Sequence, residues 1–220
     1  MKTADAFPVA ISSSDEAECY QFSEDELHAL ESQPYKSGGD HGMTEDLQVL
    51  NQPKLSGIKK FVEDGIEDYV RNVLLISEEV KFKISSSWAN IQEVGNTHHM
   101  HFHTNSVISG VLHVSDGNIL VFCDGSNDRY NHWSFPFKGG NQYNTREAGF
   151  KFKKGCLVLF PSTVKHYVPP YEKINKQKDD EPEITFESMS SFNHGNRISI
   201  SFNVFLDGPV MPGTTEQLDL

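Results

Sequence analysis

Cysteine, positive charge and long apolar runs are all scarce in this sequence. Its 220 residues include only Cys19, Cys123 and Cys156, an odd number with no pairing pattern, which argues against a disulfide framework. Cys123 and Cys156 sit in apolar runs, as inert buried thiols do. Lys and Arg number 19 against 31 Asp and Glu, a formal net charge of −12. So acidic a surface repels phosphate backbones and anionic headgroups, which makes nucleic acid and membrane poor partners. No apolar run approaches the roughly 20 residues of a membrane span, and Met1-Lys2-Thr3-Ala4-Asp5 opens no apolar signal core, so a cytoplasmic protein is expected. There is no internal repeat. Aromatic residues, by contrast, are plentiful, and 15 Phe with 7 Tyr suffice to fill a core. Histidine is the unusual component: there are ten, and His98, His99, His101 and His103 fall within six residues.

The chain divides by pattern into residues 1–79, a helical and irregular support region, 80–206, a β core, and 207–220, an irregular tail. Ser23-Glu24-Asp25-Glu26 predicts a capping box opening a short helix, because hydroxyl and carboxylate can each take the other's exposed N–H. After Pro53, Ile58, Phe61, Val62, Ile66, Tyr69, Val70, Val73 and Leu74 recur at helical spacing and predict an amphipathic helix lying on a sheet. Gly65 inside it implies a kink or close packing. From residue 80 the period becomes two. Val80–Ile84, Cys156–Phe160 and Arg197–Phe205 read as strands. Val107–Val114 and Ile119–Phe122, joined by Ser115-Asp116-Gly117-Asn118, predict a hairpin. The expected fold class is mainly β, a sandwich or barrel with helical support. Lys173–Pro182 reads as a charged surface insertion. Asp124–Gly149, with Tyr130, His132, Trp133, Phe135, Phe137 and Tyr143, reads as a recognition lid or a core-covering loop.

In an extended strand alternate residues face one way, so His101 and His103 aim two imidazoles at one point. His99 shares that face and is the alternate ligand, while His98 points away. His166, after a strand and the turn at Pro161, is the best remote third ligand, and such a trio leaves metal positions open for substrate. His113 and His132 are expected to pack or hydrogen-bond, and His28, His41 and His194 to lie at the surface. Arg197 and Ser199 share a strand face, and a guanidinium with a hydroxyl makes a carboxylate clamp.

Four blocks occur in order: Ser87-Trp88-Ala89-Asn90, His101-Phe102-His103-Thr104-Asn105-Ser106-Val107-Ile108-Ser109-Gly110-Val111, Leu159-Phe160-Pro161-Ser162 leading to His166-Tyr167-Val168, and Arg197-Ile198-Ser199-Ile200-Ser201-Phe202-Asn203. Over residues 80–206 this resembles the 2-oxoglutarate–Fe(II) oxygenases of bacteria and cyanophages. The resemblance implies a double-stranded β-helix (jelly roll) core supported by N-terminal α-helices. It implies Fe(II) held by His101, His103 and His166, and 2-oxoglutarate held through its far carboxylate by Arg197 with Ser199 assisting. Trp88, Asn90, His99 and Asn105 would face substrate or orient the histidines, while Ser109 and Gly110 would pack the next strand. With O2, such an enzyme hydroxylates a primary substrate and releases succinate and CO2. The resemblance also allows a homodimer, and a phage-encoded protein acting in a host cytoplasm.

One residue departs from the wider superfamily, since His103 stands where the metal-binding carboxylate is usual. Three neutral imidazoles leave the metal one unit more positive, and an anion could take the carboxylate's place, as in a halogenase-like site. The same histidines also resemble the two cupin motifs, Gly95 before His-x-His and Gly155 before Pro161 and His166, although no Glu follows His103 within five residues. That alternative keeps the fold but implies a metalloenzyme without 2-oxoglutarate. A non-catalytic jelly-roll binding module is the third reading. Arg197 and Ser199 favour the oxygenase.

Overall fold

Along the last long strand, Ile198, Ile200, Phe202 and Val204 alternate with Arg197, Ser199, Ser201 and Asn203. The apolar set joins a core beneath helices, and the polar set faces the opposite side of the sheet. The computed structural model describes residues 8–37, 39–123, 136, 138–141, 143–171, 196–211 and 215–218. In it this strand, β11 (Arg197–Leu206), lies at the centre of an antiparallel sheet. On one side it pairs with β6 (Ile108–His113), then β9 (Leu157–Pro161) and β1 (Ser12–Ser13). On the other it pairs with β4 (Phe82–Gln92), then β3 (Gly42–Thr44) and β2 (Tyr35–Ser37). A second sheet has the order β5 (His98–His101), β10 (Lys165–Val168), β7 (Asn118–Cys123) and β8 (Glu147–Phe152). From β4 onward the chain shuttles between the two sheets, with only β7 and β8 consecutive in one of them. This is the mainly β, double-stranded β-helix architecture expected.

The helices cover the outer face of the larger sheet. For α1 (Glu24–Glu31) the capping box forms: Ser23 Oγ accepts from the Glu26 N–H, and the Glu26 carboxylate accepts from the Ser23 N–H at 2.8 Å. In α2 (Ser56–Asp68), Ile58, Val62 and Ile66 are buried, and one π-type turn, Tyr69–Val73, extends the same face. Gly65 serves close packing, because a Cβ there would overlap the Leu157 side chain of β9. A smaller apolar cluster, including Val111, Phe122, Phe152, Val158 and Phe160, lies between the sheets. Residues before 80 also supply the edge strands β1 and β2 and the strand β3 next to β2, so the support region is not only helical and irregular, and one hydrophobic core spans residue 80.

Two further expectations change. Val107–Val114 and Ile119–Phe122 are not a hairpin: β6 pairs with β11 and β9, whereas β7 pairs with β10 and β8. The Asp-Gly turn, with Gly117 at φ 75°, reverses the chain but passes it to the other sheet. Strand β4 runs well past Ile84, because its Ser- and Asn-rich continuation lines a polar interior. Tyr143 is exposed. Tyr130, His132, Trp133, Phe135, Phe137, His194 and the insertion Lys173–Pro182 lie outside the described residues, among which no helix is long and apolar enough to cross a membrane.

Gly110 in β6 allows the Phe202 ring and Leu159 to occupy the space a Cβ would need. Gly110→Ala should cost about 1–3 kcal/mol by overpacking. At about 2–4 °C per kcal/mol for a chain of this size, thermal unfolding should show it clearly. An unchanged Tm would mean that Phe202 can move aside.

Candidate metal centre

Antiparallel pairing of β10 with β5 sets His166 opposite His101, their ring centroids 4.3 Å apart. His103 follows β5 and is held by its backbone N–H, which donates to the Ser162 carbonyl at 3.0 Å. Its ring lies 5.2 Å from those of His101 and His166. One potential ligand atom from each of the three rings falls within 4.8 Å of the others. The second nitrogens explain the orientation. Nδ1 of His101 contacts the His99 carbonyl at 2.8 Å, Nδ1 of His166 the Val164 carbonyl at 2.9 Å, and Nδ1 of His103 the Asn203 Oδ1 at 2.6 Å. Those oxygens can only accept, so Nδ1 carries the proton and Nε2 keeps its lone pair. Burial pushes all three pKa values below the usual range, that of His166 to about 3. Three neutral imidazoles with free Nε2 atoms form a donor set that fits a divalent transition metal. Among the described residues no carboxylate joins the cluster.

A polar chain stands behind His103. Asn203 Oδ1 also accepts from Ser109 Oγ at 3.1 Å, and Asn203 Nδ2 donates to Ser86 Oγ at 3.2 Å. The Ser109 and Ser162 hydroxyls share a hydrogen bond of 2.8 Å. Ser109 thus belongs to this chain of contacts. Asn203 was not singled out by sequence, although its even spacing from Arg197 along β11 was the available signal. Trp88 stacks 5.8 Å from His103 and donates its indole N–H to Asn90 Oδ1 at 3.1 Å, and Asn90 donates to Ser201 Oγ at 2.9 Å. Trp88 and Asn90 both line the cavity.

The other members of the histidine cluster are placed differently from expectation. Between β5 and β10, His101 pairs with His166 and His98 with Val168, three residues against two. That bulge breaks the alternation, so His98 rather than His99 turns inward. The His98 ring stacks 4.1 Å from His101 and lies 4.1 Å from His41. Burial, then the neighbouring His101, pushes its pKa down to about 2. The His99 side chain is 69% exposed, its backbone N–H donating to Asp40 at 3.1 Å. His41 is only 8% exposed, because His98 and Asp40 enclose it. Asn105 is exposed at φ 55°, a left-handed turn position that Asn tolerates, and does not line the cavity.

Arg197 is 3% exposed at the start of β11. Its Nε–H donates to Gln92 Oε1 at 2.9 Å, and the guanidinium lies 5.2 Å from the Tyr171 ring centroid. Burial lowers its pKa to about 10, which leaves it charged at neutral pH. It has no acidic partner among the described residues. Ser199, two residues on, lines the cavity with His101, His103 and His166.

Residues 86–177 match the family model described as "Putative 2OG-Fe(II) oxygenase". The enzyme class is 2-oxoglutarate–Fe(II) oxygenase. Such an oxygenase is an oxidoreductase using Fe(II) and 2-oxoglutarate, and the matched segment holds all three imidazoles, while Arg197 and Ser199 lie beyond it. No curated protein matches the sequence. Among solved structures, the chain is similar to the non-haem α-ketoglutarate-dependent carbocyclase SnoK of nogalamycin biosynthesis (12% identity, TM-score 0.57, covering 91% of this chain and 81% of that one). It is also similar to HygX of Streptomyces hygroscopicus with nickel, 2-oxoglutarate and hygromycin B bound (10% identity, TM-score 0.54, covering 89% and 82%). A Trichoplax adhaerens prolyl hydroxylase in complex with a hypoxia inducible factor peptide matches at 10% identity and TM-score 0.52, covering 89% and 83%. At these identities the likeness speaks for the fold.

Two measurements probe the histidine cluster and the cavity it lines. Asn203→Ala removes the acceptor that orients His103, and metal affinity should fall about 10- to 100-fold in an anaerobic Fe(II) titration. An unchanged affinity would show that His103 needs no such support. His113, 3% exposed and stacked 5.0 Å from Phe152, is held at about 3 by burial and then by the Arg197 charge. An unfolded histidine titrates near 6.5, so below that pH the unfolded chain takes up a proton that the folded chain refuses. This contribution to stability is fully present above about pH 6.5 and is lost as pH falls toward 3. Denaturant midpoints at pH 7.5 and pH 5 should therefore differ more in the wild type than in His113→Phe. Equal differences would show that the ring is not kept neutral.

Proposed function

We propose that the protein is a dioxygenase that uses Fe(II) and 2-oxoglutarate to hydroxylate a primary substrate, releasing succinate and CO2. His101, His103 and His166 hold the metal, and Arg197 with Ser199 holds the far carboxylate of 2-oxoglutarate. One observation carries this reading: three neutral imidazoles with gathered ring nitrogens line a cavity together with Ser199 and Gln92, and Gln92 is held by the buried Arg197 guanidinium, which has no acidic partner among the described residues. HygX, of similar fold, holds nickel and 2-oxoglutarate together, which supports a metal and a keto diacid in one such barrel.

The bound metal supplies oxygen activation coupled to oxidative decarboxylation of 2-oxoglutarate. The protein's own residues position the reactants. Asn203 and the carbonyls of His99 and Val164 fix the imidazole planes, so their Nε2 atoms do not have to reorganise on binding. Arg197 offers paired N–H donors to a planar carboxylate, and Gln92 and Tyr171 hold that guanidinium in place. Phe122 and Phe160, packed 6.1 and 4.8 Å from the His166 ring, keep water from its inner side.

Succinate formation from 2-oxoglutarate with Fe(II) and O2, assayed with candidate primary substrates, tests the proposal. His166→Ala should abolish turnover and weaken Fe(II) binding. Arg197→Ala should raise the KM for 2-oxoglutarate by about 100-fold or more, the scale of removing one partner of a buried charge pair. Turnover unaffected by Arg197→Ala would instead favour a cupin-type metalloenzyme, and Fe(II) binding unaffected by His166→Ala would sink both enzyme readings.

A further inference from the structure

Three buried polar nitrogens lack a hydrogen-bond partner among the described residues: Gln92 Nε2 and both ring nitrogens of His113. Their residues are 4% and 3% exposed, and both line the cavity that holds the three metal-centre histidines. Each such orphan gives up its hydration without a hydrogen bond in return, so a fold that lines one cavity with three of them calls for a reason.

Strand register explains how they meet. On β11, Arg197 stands opposite Gln92 of β4, and Ser199 stands opposite His113 of β6. Gln92 Oε1 accepts from both Nε–H and an Nη2–H of Arg197, which fixes the amide: turned over, it would set donors against donors. The Nε2 donors of Gln92 are thereby left for another group. The Asn118 amide lies beside His113, but its Nδ2 donates to the Ser115 carbonyl and neither imidazole nitrogen reaches hydrogen-bond geometry with it. Phe152 stacks on the His113 ring, 5.0 Å between centroids and 13° between planes, and so holds its edge in one direction.

Among the described residues the inventory is therefore one cation without an acidic partner, an amide with unused donors, and a neutral imidazole with an unused N–H. That set matches a carboxylate, which accepts at about four lone-pair positions and supplies the missing negative charge. We propose that Gln92 and His113 complete the seat for the far carboxylate of the 2-oxo diacid, Gln92 Nε2 and a His113 ring N–H donating to it alongside Arg197 and Ser199. This rests on the 2-oxoglutarate reading above. It makes Gln92 and His113 determinants of cosubstrate choice, selecting a 2-oxo acid with a second carboxylate over one with an alkyl end.

The test compares 2-oxoglutarate with 2-oxopentanoate, which keeps the metal-binding keto acid but ends in a methyl group. Binding to anaerobic Fe(II)-loaded protein is measured by calorimetry, without turnover. The variants are His113→Phe, which keeps the stacked ring and removes both nitrogens, and Gln92→Glu, which keeps the acceptor for Arg197 and replaces the amide donors by a carboxylate oxygen. Each should weaken 2-oxoglutarate about 10- to 100-fold, the worth of a buried hydrogen bond to a charged group, and leave 2-oxopentanoate within about twofold. His113→Phe should also raise the Tm of the ligand-free protein, because an orphaned polar ring is replaced by an apolar one. Should it fail to fold, Gln92→Glu carries the comparison alone. Equal losses for both acids, or none for either, would overturn the inference and leave these residues structural. A wild-type protein that does not prefer 2-oxoglutarate to 2-oxopentanoate would instead overturn the 2-oxoglutarate reading itself.

Discussion

The pairing of β11 with β4 is the constraint on which the remaining structure depends. It runs from Arg197 opposite Gln92 to Leu206 opposite Phe82, with one irregularity after Asn203. Its two faces meet different environments. Outward, Ile198, Ile200, Phe202 and Val204 bury themselves under the helices. Inward, Asn203 orients His103, Ser201 receives Asn90, Ser199 borders the cavity and Arg197 holds Gln92. A slip of one residue would exchange the two sets, placing a guanidinium in the apolar core and isoleucines at the metal centre. Core stability and site geometry therefore select the same register.

Much of the site was legible because its logic is local. His-x-His at the end of a strand, a histidine after a strand and turn, and Arg-x-Ser on one strand face each follow from a period of two. The capping box at Ser23 and the amphipathic pattern from Ile58 to Leu74 are equally local. What escaped depends on long-range pairing. The choice of His98 over His99 arises from a bulge against β10, some 65 residues later in the chain. His41 is buried by His98, and nothing near His41 in sequence announces that contact. The Asp-Gly turn specified a reversal but not which sheet would receive the next strand. Strand β4 outruns its alternating start: beside a polar barrel interior it carries Ser85, Ser86 and Ser87 and then Asn90 and Gln92, a stretch that in isolation reads as loop.

The polar wall also separates two kinds of interior. Around His103 its groups are satisfied, each hydroxyl or amide answering another through Asn203, Ser109 and Ser162. Such a network rigidifies, and rigidity suits residues that must present three nitrogens to one point. At the Arg197 end the pattern is incomplete, with a cation that has no acidic partner among the described residues and donors left unpaired beside it. The first region is finished by the fold alone, whereas the second is complementary to something absent from the described residues.

That no carboxylate joins the three histidines among the described residues has a consequence for the strength of loading. Three neutral imidazoles contribute no charge, so a divalent ion would sit there with both of its positive charges uncompensated by protein. A doubly ionised keto acid offsets one charge at the metal and the other at Arg197, leaving a single positive charge of the metal in the cavity. Metal and diacid then act as mutual effectors. By thermodynamic reciprocity, whatever factor the ion adds to the affinity for the acid, the acid adds to the affinity for the ion.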